Sequence, residues 1–168
     1  MLGYILIDED RPEVLARLAQ RLCAAGLRLS GAVQIDGPPE GDCACDMDLH
    51  LLHDESRIRI SQSLGGGASG CRLDAGALEE ATAQIIAGLA AAPDLVVLSK
   101  FSRQEAAGRG LRAVMAAAVE VGLPVLTTVS TACLPDLLAF AEDMAEAVPL
   151  DGAEDWAVAQ TALRRAAE

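Results

Sequence analysis

The stretch Arg57–Asp74, RIRISQSLGGGASGCRLD, gathers groups that bind anions. Ser61 and Ser63 supply hydroxyls. Gly65, Gly66, Gly67 and Gly70 allow backbone amides to turn inward, because glycine adopts conformations closed to other residues. Arg72 adds a rigid planar donor suited to a tetrahedral oxyanion. A helix starting after Asp74 contributes a favourable dipole, which the aspartate itself opposes. The chemistry is that of a pocket for an oxyanion or a nucleotide phosphate. The competing reading is a surface loop whose Arg72 pairs with a nearby acid.

Three further groups could act with it. Lys100-Phe101-Ser102-Arg103-Gln104-Glu105 comes after an apolar run. Lys100 there can face a ligand anion and Glu105 can orient it, or both can belong to a salt-bridged loop beside Asp8, Glu9 and Asp10. Thr127, Thr128, Ser130 and Thr131 can bind an oxyanion, but Ser130 or Thr131 is better suited to capping the next helix. Cys43, Cys45 and Cys71 could hold a soft metal or form a redox disulfide, although free thiols fit the Cys-x-Cys spacing better. Cys23 and Cys133 read as small core or near-core residues. The acidic cluster Asp8-Glu9-Asp10 is a weak magnesium candidate.

The elements that must position these groups alternate in type. Gly3–Ile7 reads as a buried strand, Glu13–Ala25 as a helix with Leu15, Leu18, Ala19 and Leu22 on one face, and Leu27–Ile35 as a second strand. Asp36–Asp46 is a loop, and Met47–Leu52 with Arg57–Ser61 forms a hairpin. Asp74 caps a helix over Ala75–Ala91, and Asp94–Ser99 is the clearest buried strand. A helix then runs from the polar Lys100–Arg109 segment to Val121, and a strand comes next at Val125–Val129. Leu134–Ala145 and Ala153–Ala166 are helical, with a short strand at Val148–Leu150 between them. In such α/β sheets ligands bind beyond the carboxyl ends of the strands, so the loops Asp8–Arg11, Ser99–Glu105 and Thr127–Ala132 should converge.

Composition narrows the function classes. Apolar residues make up 52%, yet the only aromatic ones are Tyr4, Phe101, Phe140 and Trp156, so the core must be aliphatic. A net charge of -12 argues against a nucleic-acid or anionic-membrane surface, which needs clustered Lys and Arg. Two histidines in one hairpin support no Ser-His-Asp or Cys-His arrangement. No apolar run reaches membrane-spanning length and no leader is evident, so a cytoplasmic location is expected.

The order of elements resembles the small P-loop nucleoside-triphosphatases known from thermophiles, with Leu2–Ile7 matching their first strand and Asp94–Ser99 the later metal-binding strand. The chain departs from them at both motifs. Asp8-Glu9-Asp10-Arg11-Pro12-Glu13-Val14 stands where Gly-x-x-x-x-Gly-Lys-Ser/Thr is required, and Ser99-Lys100 stands where Asp-Glu is required. A closer resemblance is to an uncharacterised bacterial domain family often found beside molybdenum-transport and nitrogenase genes. It rests on Cys43-Ala44-Cys45-Asp46-Met47, Ile60-Ser61-Gln62-Ser63-Leu64-Gly65, Gly70-Cys71-Arg72-Leu73-Asp74 and Lys100-Phe101-x-x-Gln104-Glu105-x-x-Gly108. This resemblance implies a degenerate relative of P-loop proteins and adds Gln62 and Gln104 to the candidate ligand residues.

The expected fold is one three-layer α/β domain over residues 1–168, P-loop-NTPase-like, with a mostly parallel sheet and an inserted β-hairpin. The expected function is non-hydrolysing binding of an oxyanion such as molybdate, or of a nucleotide phosphate, as an accessory to molybdenum metabolism. The alternatives are a divergent nucleoside-triphosphatase or phosphotransferase, and a cysteine-based metal or redox sensor. The expected partner is a small anionic ligand, neither nucleic acid nor membrane, with a homodimer left open.

Overall fold

The computed structural model describes residues 1–9, 11–36, 47–62 and 73–167. Seven strands form one sheet: β1 (Leu2–Leu6), β2 (Leu29–Asp36), β3 (Met47–Leu51), β4 (Arg57–Arg59), β5 (Leu95–Phe101), β6 (Val125–Val129) and β7 (Ala145–Ala147). Their spatial order is β4-β3-β2-β5-β6-β1-β7. β2, β5, β6, β1 and β7 run parallel, while β3 and β4 extend the sheet antiparallel as the expected hairpin. The helices are α1 (Glu13–Ala24), α2 (Ala75–Gly88), α3 (Arg103–Ala106), α4 (Arg112–Glu120), α5 (Leu134–Ala141) and α6 (Ala153–Ala167). Among the described residues no helix is long and apolar enough to cross a membrane.

Alternation along the strands produces the three layers. In β5, Leu95 and Val97 join the core beneath α1 and α6, with Leu15, Leu18 and Leu22. Val96 and Leu98 join the opposite core beneath α2, α4 and α5, with Ile85, Met115 and Leu137. All four β5 residues are fully buried. Each such side chain contributes about 1.5–3 kcal/mol, so the central strand needs helices on both faces. Close contact is built in where β2 meets β5. Gly31 has φ +105°, and a Cβ there would lie 2.1 Å from the Val97 carbonyl oxygen, so only glycine fits.

Several boundaries differ from the pattern-based reading. The Leu134–Ala145 helix stops at Ala141, because Glu142 adopts φ 49°, ψ -127°. The last strand is Ala145–Ala147, not Val148–Leu150, and it pairs with Leu2–Tyr4. An Ala-Glu-Ala tripeptide has helical propensity, and only the free edge of β1 makes it a strand. The helix expected to run on to Val121 is α4, and the polar segment before it holds a further short helix, α3, joined to α4 through Gly108 and Gly110 at positive φ. Cys23 is exposed on α1, not part of the core.

The amino end of β5 is held by a charge cluster. Asp94, 2% exposed, accepts from the Arg28 backbone N (2.8 Å), Arg28 Nε (3.2 Å) and Arg28 Nη2 (3.0 Å), and from Arg165 Nη2 (2.9 Å). The Arg28 side chain is the main cause holding its carboxyl far below the usual range, against the opposing effect of burial. The cluster ties β2, β5 and α6 together. Asp94→Ala should lower the unfolding free energy by about 2 kcal/mol, the guanidinium contributions being discounted for solvent screening. The folded pKa lies below the unfolded value of about 3.9. The stabilisation is therefore present above about pH 4 and lost as the pH falls toward the folded value. Urea melts of wild type and Asp94→Ala should differ at pH 7 and converge in acid.

Candidate functional site

The carboxyl ends of β1, β5 and β6 open onto a cleft of about 470 Å³. Asp8, Glu9, Arg11 and Pro12 line it from the first loop, Ser99–Gln104 from the second, and Thr128–Ser130, Ala132 and Cys133 from the third. Gln34 and Leu73 complete the wall on the β2 side.

A β-bulge shapes the floor. Leu98 pairs with Thr127 and Phe101 with Val129, so three steps along β5 oppose two along β6. The extra residue reverses the alternation. Phe101 would otherwise share a face with Leu95 and Val97. It instead joins the core of Val96 and Leu98 and stacks on Phe140 at 6.3 Å between ring centroids. The Arg112 guanidinium lies over the Phe140 ring at 4.4 Å, a cation–π contact. Lys100, displaced by the bulge, is exposed and lines the cleft. Bulges commonly re-aim side chains in this way. The distortion is held by Ser99, whose Oγ accepts from the Gln34 backbone N (2.6 Å) and whose carbonyl accepts from Thr127 Oγ1 (3.3 Å).

The first and third loops are tied by Asp8. Its Oδ1 accepts from the Thr131 backbone N (2.7 Å) and its Oδ2 from Thr131 Oγ1 (2.9 Å). These bonds, the backbone one foremost, hold the Asp8 carboxyl below its ordinary pKa. The expected capping role of Thr131 is thus corrected. α5 begins after Cys133 without a side-chain cap, and the Thr131 hydroxyl serves Asp8. Thr127 is fully buried, so of the four hydroxyls only Thr128 and Ser130 line the cleft.

Lys100 and Gln104 line the cleft, but Glu105 does not. Glu105 is 3% exposed. Its Oε2 accepts from Ser102 N (3.0 Å) and Ser102 Oγ (2.8 Å), and its Oε1 from Leu111 N (3.2 Å). It closes a capping box for α3 and so shapes the cleft wall without facing a ligand. Ser61 and Gln62 stand at the base of the glycine-rich loop. Ser61 Oγ accepts from Met47 N (3.1 Å), Ser61 bridges Leu73, and Gln62 Nε2 donates to the Leu73 carbonyl (3.3 Å). Ser63, Gly65, Gly66, Gly70, Arg72, Cys43, Cys45 and Cys71 lie outside the described residues. Both ends of the glycine-rich segment are therefore pinned at the Ser61–Leu73 bridge, and Leu73 reaches the cleft.

Sequence reasoning missed Gln34, Leu73 and Cys133 as lining residues. Gln34 is tied to the site by the bond from its backbone N to Ser99, and no local side-chain pattern announces such a bond. Cys133, expected as core or near-core, packs against the core and, from its position just before α5, also lines the cleft. Among the described residues no group of three or more His, Cys, Asp or Glu could hold a metal.

The buried and bridging carboxylates of this wall can be measured separately. Glu105→Ala should lower stability by about 2–3 kcal/mol in chemical denaturation, since it strands buried donors. In Asp8→Ala the Thr131 amide should exchange its hydrogen at least tenfold faster than in wild type, with little change in the melting temperature.

Comparison with known proteins fits this geometry. The solved structure "Crystal Structure of THEP1 from the hyperthermophile Aquifex aeolicus" superposes with a TM-score of 0.55 over 89% of this chain and 88% of that one. At 10% identity the likeness shows the fold alone: the α/β, mostly parallel seven-stranded sheet. A stretch of 133 residues, 79% of this chain, is 41% identical to "Molybdenum import ATP-binding protein ModC 2" of Bradyrhizobium diazoefficiens. The chain spans only 15% of that relative's length. The family model described as "Protein of unknown function (DUF2478)" matches residues 4–156. The match takes in β1 from Tyr4 onward, the bulged strand, the loops that line the cleft and the first turn of α6, and on it the chain belongs to the DUF2478 family.

Proposed function

We propose that the cleft binds a small anion, an oxyanion or a nucleotide phosphate, without hydrolysing it, and that the domain serves molybdenum metabolism as a ligand-binding accessory. The observation that carries this reading is the bulge at Ser99–Lys100, which brings a lysine to the meeting point of three loops. Arg11, Lys100 and Arg103 line the cleft against Asp8 and Glu9. Arg11 also pairs with Glu13 (3.5 Å), so among the described residues Lys100 and Arg103 are the cations that the cleft offers in a chain of net charge -12. Local cations and backbone amides suffice for a small anion where the whole surface would repel a polyanion.

Binding without hydrolysis is favoured by the loop after β1. A phosphate loop needs glycine amides, a lysine for the phosphates and a hydroxyl for magnesium. Asp8 and Glu9 supply none of these, and Asp8 is engaged with Thr131. The molybdenum role is supported by the similarity of the 133-residue stretch to a molybdenum import ATP-binding protein. Gln104, and the glycine-rich segment that leaves Ser61 and returns at Leu73, are the proposed further contributors.

Calorimetry of molybdate, tungstate, sulfate and ATP against the purified chain tests the reading. At least one should bind, and Lys100→Ala should weaken it tenfold or more while leaving the melting temperature within a few degrees. Turnover of ATP with Mg²⁺ would overturn the non-hydrolysing assignment. Unchanged affinity in Lys100→Ala would overturn the site.

A further inference from the structure

A second concavity opens beside the cleft, at the carboxyl end of β1. It measures about 500 Å³ and is lined by Ile5, Leu6, Ile7, Val148, Pro149 and Leu150, with Asp8, Glu9 and Arg11 on the side toward the cleft. Ile7, Asp8, Glu9 and Arg11 line both spaces, so the two are continuous across the first loop.

The notch exists because β7 is too short for its neighbour. It pairs with β1 only through Leu2–Tyr4, and the Val148 N donates to the Tyr4 carbonyl (2.8 Å) as the last bond. Pro149 then turns the chain into a 3-10 turn at Leu150–Gly152 and on into α6. β1 continues past this point. On its even-numbered face Leu2 is buried and Tyr4 packs on the core, but Leu6 is left 50% exposed. Across the notch Leu150 is 41% exposed. Single exposed leucines are ordinary; two in one concavity that opens into a candidate binding cleft form an apolar wall.

The two spaces together have three chemical zones: an apolar notch, a carboxylate divide at Asp8 and Glu9, and a cationic side at Lys100 and Arg103. Glu9 is exposed and makes no hydrogen bond or ion pair among the described residues. A bare oxyanion carries no apolar surface and no donors, so it uses only one zone and is repelled by the second. A molecule with a flat ring, hydroxyl donors and an anionic end uses all three.

Resting on the anion-binding reading above, we propose that the ligand is a ribonucleoside phosphate. Its ring lies against Leu6 and Leu150, its ribose hydroxyls donate to the carboxylates of Glu9 and Asp8, and its phosphate reaches toward Lys100 and Arg103. The loop after β1 thereby takes the sugar, not the phosphate. This accounts for acidic residues at a position where a phosphate-binding turn would need glycine amides.

The test is calorimetry of the full chain with the four ribonucleoside 5′-monophosphates, inorganic phosphate and molybdate, the tightest nucleotide being carried forward. That nucleotide should bind at least tenfold more tightly than phosphate or molybdate. Leu150→Asn should weaken it about tenfold with phosphate affinity unaltered. Glu9→Gln should weaken it more than it weakens the 2′,3′-dideoxy analogue. If phosphate or molybdate binds and no nucleotide binds more tightly, or if Leu150→Asn leaves nucleotide affinity unchanged, the ring subsite is wrong and the anion cleft stands. If none of these ligands binds, and tungstate, sulfate and ATP do not bind either, both fall.

Discussion

Burial of β5 on both faces is the constraint on which the other features of the protein depend. A parallel strand with two apolar faces needs a helical layer on each side. Leu95 and Val97 set one core, and Val96 and Leu98 the other. Four residues of alternating aliphatic side chain therefore commit α1 and α6 to one side and α2, α4 and α5 to the other. The ends of this strand then differ sharply. At the amino end, Asp94 is locked by Arg28 and Arg165, which aligns β2 and α6 with β5. At the carboxyl end, the ladder slips by one residue and the strand opens onto the cleft.

That slip connects the core to the cleft. Phe101 must reach Phe140 across the α5 face, and strict alternation would send it the wrong way. Adding one residue solves the packing problem and at the same time exposes Lys100. Stability and site geometry thus share one cause. The Gln34 amide and the Thr127 hydroxyl, which hold Ser99, hold the lysine backbone as well. A substitution that disturbed the Phe101–Phe140 stack would move the cation too, although neither ring need touch a ligand.

The acidic first loop acquires a different meaning in three dimensions. Read linearly, Asp8 and Glu9 are simply wrong for anions. In the folded chain Asp8 is an acceptor that pins the loop after β6, and its charge is partly met by two Thr131 donors. Glu9 lines both the apolar notch and the cleft that holds Lys100 and Arg103.

Local pattern was enough for the order of the elements. The aliphatic run Leu95–Leu98, the helical spacing of Leu15, Leu18 and Leu22, and the Asp74 cap, whose Oδ1 accepts from the Ala77 N, are readable because each depends on neighbours within a few residues. The missing phosphate loop after β1 is equally a property of the sequence. The features the sequence left open depend on partners far apart in the chain. Thr131 reads as a cap until Asp8, 123 residues away, claims it. The last strand reads as Val148–Leu150, after a helix ending at Ala145, until the edge of β1 takes Ala145–Ala147 as its neighbour. Glu105 is the exception: its partners Ser102 and Leu111 are local, and the Ser102-x-x-Glu105 capping box was legible in the sequence although Glu105 reads there as a ligand residue. The bulge has no local signature, because register is a relation between two strands and only their packing together decides it.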